Sequence, residues 1–285
     1  RSPHNPVVAI VSHIDDVRER VAASDLVTHI NGTFAPGTAP SVLLMSAQNS
    51  IDTMDVVIAP LLARCKVGAL VTFGGWTAQA LARGYKAQSL RIPYVFSGIH
   101  SISHFDLTED GPWRKYVTGI VAKHPEYHGI LGTLRVIAPF LTKAIVLQHP
   151  DHVRGAFRSI GFGVTDSNLA LCREAGFEVV VVPVTSVDDL RENLAPEMRR
   201  EDCIIVTGND SVALSNLQAI VYLANGYQVP VLAQCLEAVK SGTALGCGVR
   251  GGFSAGLIAT RLQNIMAYRI TPQSLSIDVV YESDQ

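Results

Sequence analysis

Two short patterns in the sequence are typical of catalytic or nucleotide-binding sites. Gly252-Phe-Ser-Ala-Gly256 satisfies G-x-S-x-G, the nucleophile elbow of α/β hydrolases, and it follows a strand-like run. That fold requires a histidine after the nucleophile, whereas the last histidine of this chain is His152. Gly246-Cys-Gly-Val-Arg-Gly251 satisfies G-x-G-x-x-G, but it lies late in the chain instead of opening a βαβ unit. We therefore expect a protein that is not an enzyme.

Histidine spacing raises the alternative of a metal site. His100 and His104 form one H-x-x-x-H spacing and His124 and His128 form another, and on a helix each pair can share one metal ion. The first pair lies in a loop-like run and Pro125 interrupts the second, so a solvated loop is the preferred interpretation. A metal-ion-binding protein that uses all four histidines stays open as an alternative.

Composition is that of an ordinary globular protein. Of the 285 residues, 48% are hydrophobic and 17% are charged, and the formal net charge is -2. This near-neutral balance offers no electrostatic footprint for nucleic acid or for an anionic membrane. The five cysteines are odd in number and contain no C-x-x-C pair, so neither a disulfide framework nor a thiolate zinc site is expected. We expect no cofactor and no resident metal.

Short β-branched runs alternate with helical patterns, which predicts parallel sheets joined by crossover helices. Two of these helical patterns follow Ser50 and Ser186, which are suitable N-caps. The predicted strands fall into two sets with a similar cadence, which indicates two similar α/β lobes in one chain. The strands open near Val7, Val42, Leu70 and Tyr94, and then near Ala144, Val179, Ile204 and Val231.

The ends of these predicted strands are the candidate ligand positions. In open parallel sheets, ligands bind beyond the carboxyl ends of the strands, where helix N-termini offer free N–H groups. Gly74-Gly-Trp-Thr77 occupies such an end. Its glycines allow a tight turn, Thr77 can cap a helix, and Trp76 can either offer an aromatic face to a ligand or pack between helix and sheet. After another strand, Asp210 can accept a ligand ammonium or cap the next helix.

Five short motifs, in order across nearly the whole chain, carry a family resemblance. They are IPYVFS at 92–97, VTGI at 117–120, TGNDS at 207–211, VPVLA at 229–233 and GTALG at 242–246. Together they resemble the solute-binding proteins of ABC transporters, most closely the group that includes tryptophan- and tyrosine-type amino-acid binders. The resemblance implies a class I periplasmic-binding-protein fold, in which two Rossmann-like parallel-sheet lobes close like a hinge on a ligand in the cleft between them.

The resemblance also implies a domain organisation and partners. Three crossings between lobes are expected near Thr118-Gly119, Gln234 and Arg269. One lobe then comprises residues 1–118 and about 235–268, and the other comprises 119–234 and about 269–285. The implied partners are a small-molecule ligand and an ABC permease in the membrane, without nucleic acid, and the protein is expected to be a monomer. Its implied location is periplasmic or otherwise extracytoplasmic, with a lipid anchor in a segment outside this chain as one option.

Carried over by position, the resemblance places thirteen residues at cleft-facing strand ends. They are Ser12, His13, Gly74, Gly75, Trp76, Thr77, Ser97, His100, His149, Asn209, Asp210, Gln234 and Arg250. The family often has small residues or proline where Gly75 and Trp76 stand, and a Thr-Asp pair near His100. It commonly has an acidic or aromatic pair where this chain reads Arg250-Gly251. These departures concern the identity of the ligand more than the fold.

The sequence therefore predicts a two-lobed solute-binding protein that captures a small molecule by hinge closure. An amino acid is the leading ligand, and Trp76 favours an aromatic one. Thr77 and Ser97, with the N–H groups of helix starts, are the predicted carboxylate site, and Asp210 is the predicted acceptor for the ammonium. The alternatives are the four-histidine metal-binding protein and a ligand-sensing regulatory domain, because regulators also use two-lobed domains of this kind.

Overall fold

The computed structural model divides the chain into two units. It describes residues 6–12, 17–46, 62, 67–74, 77–78, 81, 85, 90–99, 112–123, 127–148, 169, 172–199, 202–208, 211–233, 236–246 and 254–281. The first lobe consists of Arg1–Lys123 and Gly251–Gln285, and the second lobe is the continuous segment His124–Arg250. The chain thus leaves the first lobe after Lys123 and returns to it after Arg250.

The first lobe contains a parallel sheet with six described strands. They are β1 (Val7–Ser12), β2 (Ser41–Ser46), β3 (Val67–Phe73), β4 (Tyr94–Ile99), β5 (Val117–Lys123) and β11 (Asp278–Tyr281). Their order across the sheet is β11-β5-β4-β3-β1-β2, and every neighbouring pair is parallel. The inner strands β1, β3 and β4 are near-continuous apolar runs in which most successive residues are buried, as expected for a sheet that is covered on both faces.

Two helices pack against this sheet and form the core of the first lobe. They are α1 (Val17–Thr33) and α5 (Ala255–Met266). Their buried side chains, such as Leu26 and Ile258, form one cluster with Ile10 and the other inward-facing residues of the sheet. In α5 the buried residues fall at helical spacing, so a single apolar face attaches the helix to the sheet.

The second lobe repeats this arrangement with five described strands. They are β6 (Lys143–Gln148), β7 (Glu178–Pro183), β8 (Cys203–Gly208), β9 (Val231–Ala233) and β10 (Leu245–Gly246). Their order is β10-β9-β8-β6-β7, so the first five strands of each lobe are arranged in the same way. The predicted fold class, two similar parallel-sheet α/β lobes, is therefore confirmed.

Helices and helical turns complete the described structure. The helices of the second lobe are α2 (Tyr127–Ile137), α3 (Ser211–Ser215) and α4 (Leu217–Gly226). A short helical turn at Val187–Asp189 continues into a π-helical turn at Leu190–Leu194. Short 3₁₀ turns lie at Pro112–Tyr116, Glu197–Arg199, Leu236–Ser241 and Pro272–Ser274. Among the described residues, none of these helices has the length and apolar character needed to cross a membrane.

The predicted strand positions agree closely with the structure. The largest displacement is at β3, which opens at Val67 instead of Leu70. Strands β4 and β9 open at the predicted residues, directly after Pro93 and Pro230. The helix predicted after Ser50 lies outside the described residues.

The structure divides the chain between lobes differently from the boundaries that the resemblance implied. Thr118 and Gly119 lie inside β5, a strand of the first sheet. Gln234 lies outside the described residues, but the later strand β10 still pairs with β9 in the second sheet.

The C-terminal segment also lies in the other lobe from the one implied. Strand β11 pairs in parallel with β5, from Asp278 beside Ile120 to Tyr281 beside Lys123. Because this pairing adds β11 to the first sheet, the described residues that follow Arg269 belong to the first lobe.

The helix start predicted at Ser186 is confirmed as a capping box. The Asp189 carboxylate accepts hydrogen bonds from Thr185 N (2.7 Å), Thr185 Oγ1 (2.5 Å) and Ser186 N (3.1 Å). Ser186 Oγ accepts in return from Asp189 N. The hydrogen bonds from Thr185 and Ser186 hold the pKa of the Asp189 carboxyl below its usual value.

We expect Asp189→Asn to lower the thermal midpoint at pH 7 more than Asp188→Asn, which removes the same charge beside the capping box. A carboxyl with a lowered folded-state pKa stabilises the fold fully above its unfolded pKa of about 4, and the contribution is lost as pH falls through the folded value. The Asp189→Asn effect should therefore shrink as thermal unfolding is measured from pH 7 towards pH 3. A difference that stays constant over this range would contradict the role of the charge.

Candidate ligand-binding site

The strand order indicates where a ligand would bind at the carboxyl ends of the strands in each sheet. In both lobes the second strand lies on one side of the first and the third strand on the other, so the crossovers diverge there. Ligands of open parallel sheets bind at the carboxyl ends of such diverging strands. These ends are Ser12 and Phe73 in the first lobe, and Gln148 and Gly208 in the second.

Two glycines bring the carboxyl ends of β3 and β4 into backbone contact. Gly74 directly follows β3 with a φ of 84°, and Gly98 lies in β4 with a φ of 72°. Gly74 N donates to the backbone oxygen of Ser97 at 2.8 Å. A Cβ at Gly98 would lie 2.9 Å from Gly74 N, which is closer than real Cβ atoms approach. Only glycine therefore fits at position 98.

Thr77 follows this turn and carries a buried hydroxyl without a partner. The residue lies in a helical segment, has no exposed surface, and its Oγ1 makes no hydrogen bond. A buried polar group left unpaired costs about 1–3 kcal/mol, so such groups are few in native proteins. Thr77 is thus a hydrogen-bonding group at the predicted ligand edge that the fold itself does not use.

Ser97 forms a buried pair with a second serine. Its Oγ lies 2.5 Å from Ser254 Oγ, and the two residues are 1% and 5% exposed. Each hydroxyl carries one proton and only one proton is needed between them, so the pair keeps a second proton to donate. Ser254 directly precedes α5 but its side chain makes no capping bond with that helix. The pair therefore joins the end of β4 to the start of α5.

Ser254 is a candidate site residue that the sequence analysis missed, because it considered this serine only as a hydrolase nucleophile. Its partner Ser97 is 157 residues away in the chain, so no local pattern shows the pair. A usable signal was present, since a serine directly before an apolar helical pattern is typical of a helix start at a sheet edge.

Buried tyrosines support the same two strands from within the core. Tyr94 of β4 shares a 2.7 Å hydrogen bond with Thr72 Oγ1 of β3, and its ring stacks on Tyr85 with centroids 5.4 Å apart. Tyr85 donates its hydroxyl to the backbone oxygen of Ile92 at 2.6 Å. Burial raises the pKa of both phenols well above the ordinary value, so both stay neutral. These contacts fix β3 and β4 relative to each other beneath the Gly74 turn.

Ser12, at the end of β1, lies in a separate groove of the first lobe. Its Oγ donates to the backbone oxygen of Met45 at 3.3 Å. The groove has a volume of about 710 Å³ between α1 and strands β1 and β2, and its lining mixes apolar residues such as Val27 with charged ones such as Glu19 and Arg20. Ser12 thus contributes its hydroxyl to a β1–β2 contact, whereas Thr77 and Ser97 lie at the β3–β4 end.

The second lobe presents two buried polar side chains at its corresponding edge. Gln148 ends β6 and Thr207 precedes the last residue of β8, and both are buried. The backbone oxygen of Gln148 accepts from Val184 N at 3.0 Å. Sequence reasoning selected their neighbours, His149 and Asn209, and missed both. The signal was a polar residue at the end of an apolar strand run.

Nine of the thirteen predicted residues lie outside the described structure, where their roles stay predictions. They are His13, Gly75, Trp76, His100, His149, Asn209, Asp210, Gln234 and Arg250. Of the four that are described, Gly74, Thr77 and Ser97 lie together at the ends of β3 and β4.

The four-histidine alternative also falls mostly outside the described residues. His100, His104 and His124 are not described, and only the backbone of His128, in α2, is described. Within the described ranges, no group of three or more His, Cys, Asp or Glu residues could hold a metal ion.

Solved structures share this two-lobed architecture. A conserved domain protein from Vibrio cholerae O1 biovar eltor matches with a TM-score of 0.77 at 17% identity, over 97% of this chain and 89% of that chain. An ABC domain from Streptococcus pneumonia in complex with L-Trp matches with a TM-score of 0.74 at 12% identity, over 97% and 90%. The trehalose repressor from Escherichia coli matches with a TM-score of 0.59 at 14% identity, over 97% and 98%. The chain therefore has the periplasmic-binding-protein-like fold.

The family model described as ABC transporter substrate binding protein matches residues 41–284. The chain belongs to this family, as its motifs predicted. Proteins of this family bind a solute outside the cytoplasm and pass it to a membrane permease, so the role of this chain is solute binding. Binding rather than catalysis is the family's activity. No curated protein matches the chain.

We expect Gly98→Ala to destabilise the protein by about 2 kcal/mol or more, because it forces a side chain into a left-handed conformation and against Gly74 N. Gly132→Ala, in α2 with open space around the added methyl, is the matched control and should stabilise by about 0.5–1 kcal/mol. Urea unfolding of both variants checks the pair. Equal stability of the two variants would show that the contact between the β3 and β4 ends is not required.

Proposed function

We propose that the protein captures a free amino acid, preferably an aromatic one, by hinge closure and delivers it to the permease of an ABC transporter. The observation that carries this proposal is the buried, unpartnered Thr77 hydroxyl at the end of β3. A ligand that gains contacts in the closed state stabilises that state relative to the open one.

The described side chains at this edge suit a carboxylate. Thr77 has an unused hydroxyl, and the Ser97–Ser254 pair has one proton beyond its internal bond. A carboxylate has two oxygens that only accept, so two neutral O–H donors complement it. The sequence also predicts that N–H groups of helix starts contribute to this carboxylate site.

The remaining roles rest on the sequence. Asp210 is the proposed acceptor for the ligand ammonium, and Trp76 is the proposed aromatic platform beside Thr77. The L-Trp complex of the similar ABC domain supports tryptophan as the first ligand to test, although the 12% identity carries the likeness of fold alone.

Thermal unfolding against a ligand panel tests the proposal. A ligand that binds only the folded protein adds about 2.7 kcal/mol of stability at 100 times its Kd, so L-tryptophan or L-tyrosine should raise the midpoint by about 5 °C or more. Sugars, nucleosides and divalent metal ions are the comparison set. A response to metals that chelator removes would support the four-histidine alternative, and a response to sugars alone would overturn the amino-acid proposal.

We expect Thr77→Val to weaken L-tryptophan binding by about tenfold or more, because it removes a donor to the charged carboxylate. It should leave the ligand-free protein equally or more stable, since the hydroxyl has no partner to lose. Calorimetric titration and urea unfolding measure the two effects.

Thr243→Val is the matched control for this substitution. Thr243 is 5% exposed and its Oγ1 is likewise buried without a partner, but it lies in a turn of the second lobe before β10. It should reproduce the stability effect and leave binding unchanged. Unchanged affinity in Thr77→Val would remove this hydroxyl from the ligand site.

A further inference from the structure

Helix α5 carries a buried cation, Arg261, further along the helix from its serine. Arg261 lies about two helical turns beyond Ser254, and its side chain is only 7% exposed. A buried guanidinium is costly unless its donors and its charge are matched. The hydrogen-bond and ion-pair partners of Arg261 show which segments it connects.

Arg261 joins three separate segments of the first lobe. One guanidinium nitrogen donates to Thr118 Oγ1 of β5 at 3.1 Å, and another contacts Asp278 Oδ2 of β11 at 2.5 Å. Thr118 Oγ1 in turn donates towards the backbone oxygens of Leu275 and Ser276, at 3.4 and 3.2 Å. The planar guanidinium can serve both partners at once, whereas a lysine ammonium is a single point charge.

The Asp278 carboxylate is held in its charged form. Ser276 Oγ donates to Asp278 Oδ1 at 2.8 Å. Partial burial opposes ionisation, but the hydrogen bonds from Ser276 and Arg261 and the Arg261 charge hold the pKa of Asp278 below its usual value. The ion pair is therefore complete at neutral pH.

The strand that this network holds is the one by which the chain leaves the first lobe. Strand β5 ends at Lys123, and the second lobe begins with His124. On one side β5 packs closely on β4, where a Cβ at Gly119 would lie 2.4 Å from the Phe96 ring. On the other side β11 pairs with β5 up to Lys123 itself. Arg261 fastens this second side.

We propose that Arg261 is a positioning residue for ligand capture, which clamps β11 onto β5 and so gives the crossing after Lys123 a rigid base. This inference rests on the proposed closure around a ligand. With the clamp intact, β5 and β11 keep a single arrangement in the open state. Without it, β5 and β11 gain conformations in the open state, which ligand binding must then remove.

The second lobe supplies a matched control. Lys143, at the start of β6, pairs with Glu197 at 2.5 Å, and the side-chain exposures of 5% and 36% resemble the 7% and 41% of Arg261 and Asp278. Lys143→Met therefore breaks an ion pair of similar burial at the start of a strand in the other sheet, which contains neither β5 nor β11. Arg261→Met breaks the proposed clamp.

Hydrogen exchange of the ligand-free proteins is the first readout. Arg261→Met should accelerate exchange in peptides covering 117–123 and 278–281, and Lys143→Met should leave them unchanged. Calorimetric titration with L-tryptophan is the second, where Arg261→Met should weaken binding by about 3- to 10-fold and Lys143→Met should not. Asp278→Asn keeps an acceptor for the guanidinium but removes the charge, so it should show the same effects at a smaller size. This milder variant keeps the test possible if Arg261→Met does not fold.

The outcomes separate this inference from the proposed function. If wild type binds L-tryptophan and the Arg261 and Lys143 variants bind it equally, the clamp has no positioning role. If wild type binds no amino acid, the proposed ligand is wrong. Hydrogen exchange in residues 117–123 is then the only test of the clamp. Unchanged exchange there in Arg261→Met and Asp278→Asn overturns the inference in either case.

Discussion

The hydrogen bond from Gly74 N to the backbone oxygen of Ser97 is the contact on which the candidate site depends. It brings the ends of β3 and β4 so close that position 98 has no room for a Cβ. Because Thr77 follows one strand end and Ser97 belongs to the other, this backbone contact sets the spacing of their hydroxyls. The Thr72–Tyr94 hydrogen bond joins the same two strands within the core, and the Ser97–Ser254 pair joins β4 to the start of α5.

Helix α5 links this site to the rest of the first lobe. Its apolar face packs on the sheet, Ser254 at its start reaches Ser97, and Arg261 further along reaches β5 and β11. The apolar contacts supply most of its attachment, while the two polar contacts select which strands it holds. Helix α5 therefore contacts the carboxyl end of β4 through Ser254 at its start, and it contacts β5 and β11 through Arg261 further along.

Sequence reasoning located the strands well because their signals are local. Apolar β-branched runs mark each strand within a few residues, a preceding proline also marks β4 and β9, and the strand ends led to Gly74, Thr77 and Ser97 as candidates. The lobe boundaries and Ser254 were beyond its reach, since both depend on pairing between residues about 157 positions apart. The family motifs identified a two-lobed protein but could not show which sheet receives the last strand.

The two lobes differ in how their sequences are arranged, and this difference sets the order in which they can fold. The second lobe is one uninterrupted segment, 124–250, whereas the first is completed only by residues 251–285. When the chain has emerged as far as residue 250, the whole second lobe is therefore available to fold, while α5 and β11 of the first lobe are still to come. Since domains fold as units, the lobe that starts the chain is the one that finishes folding last.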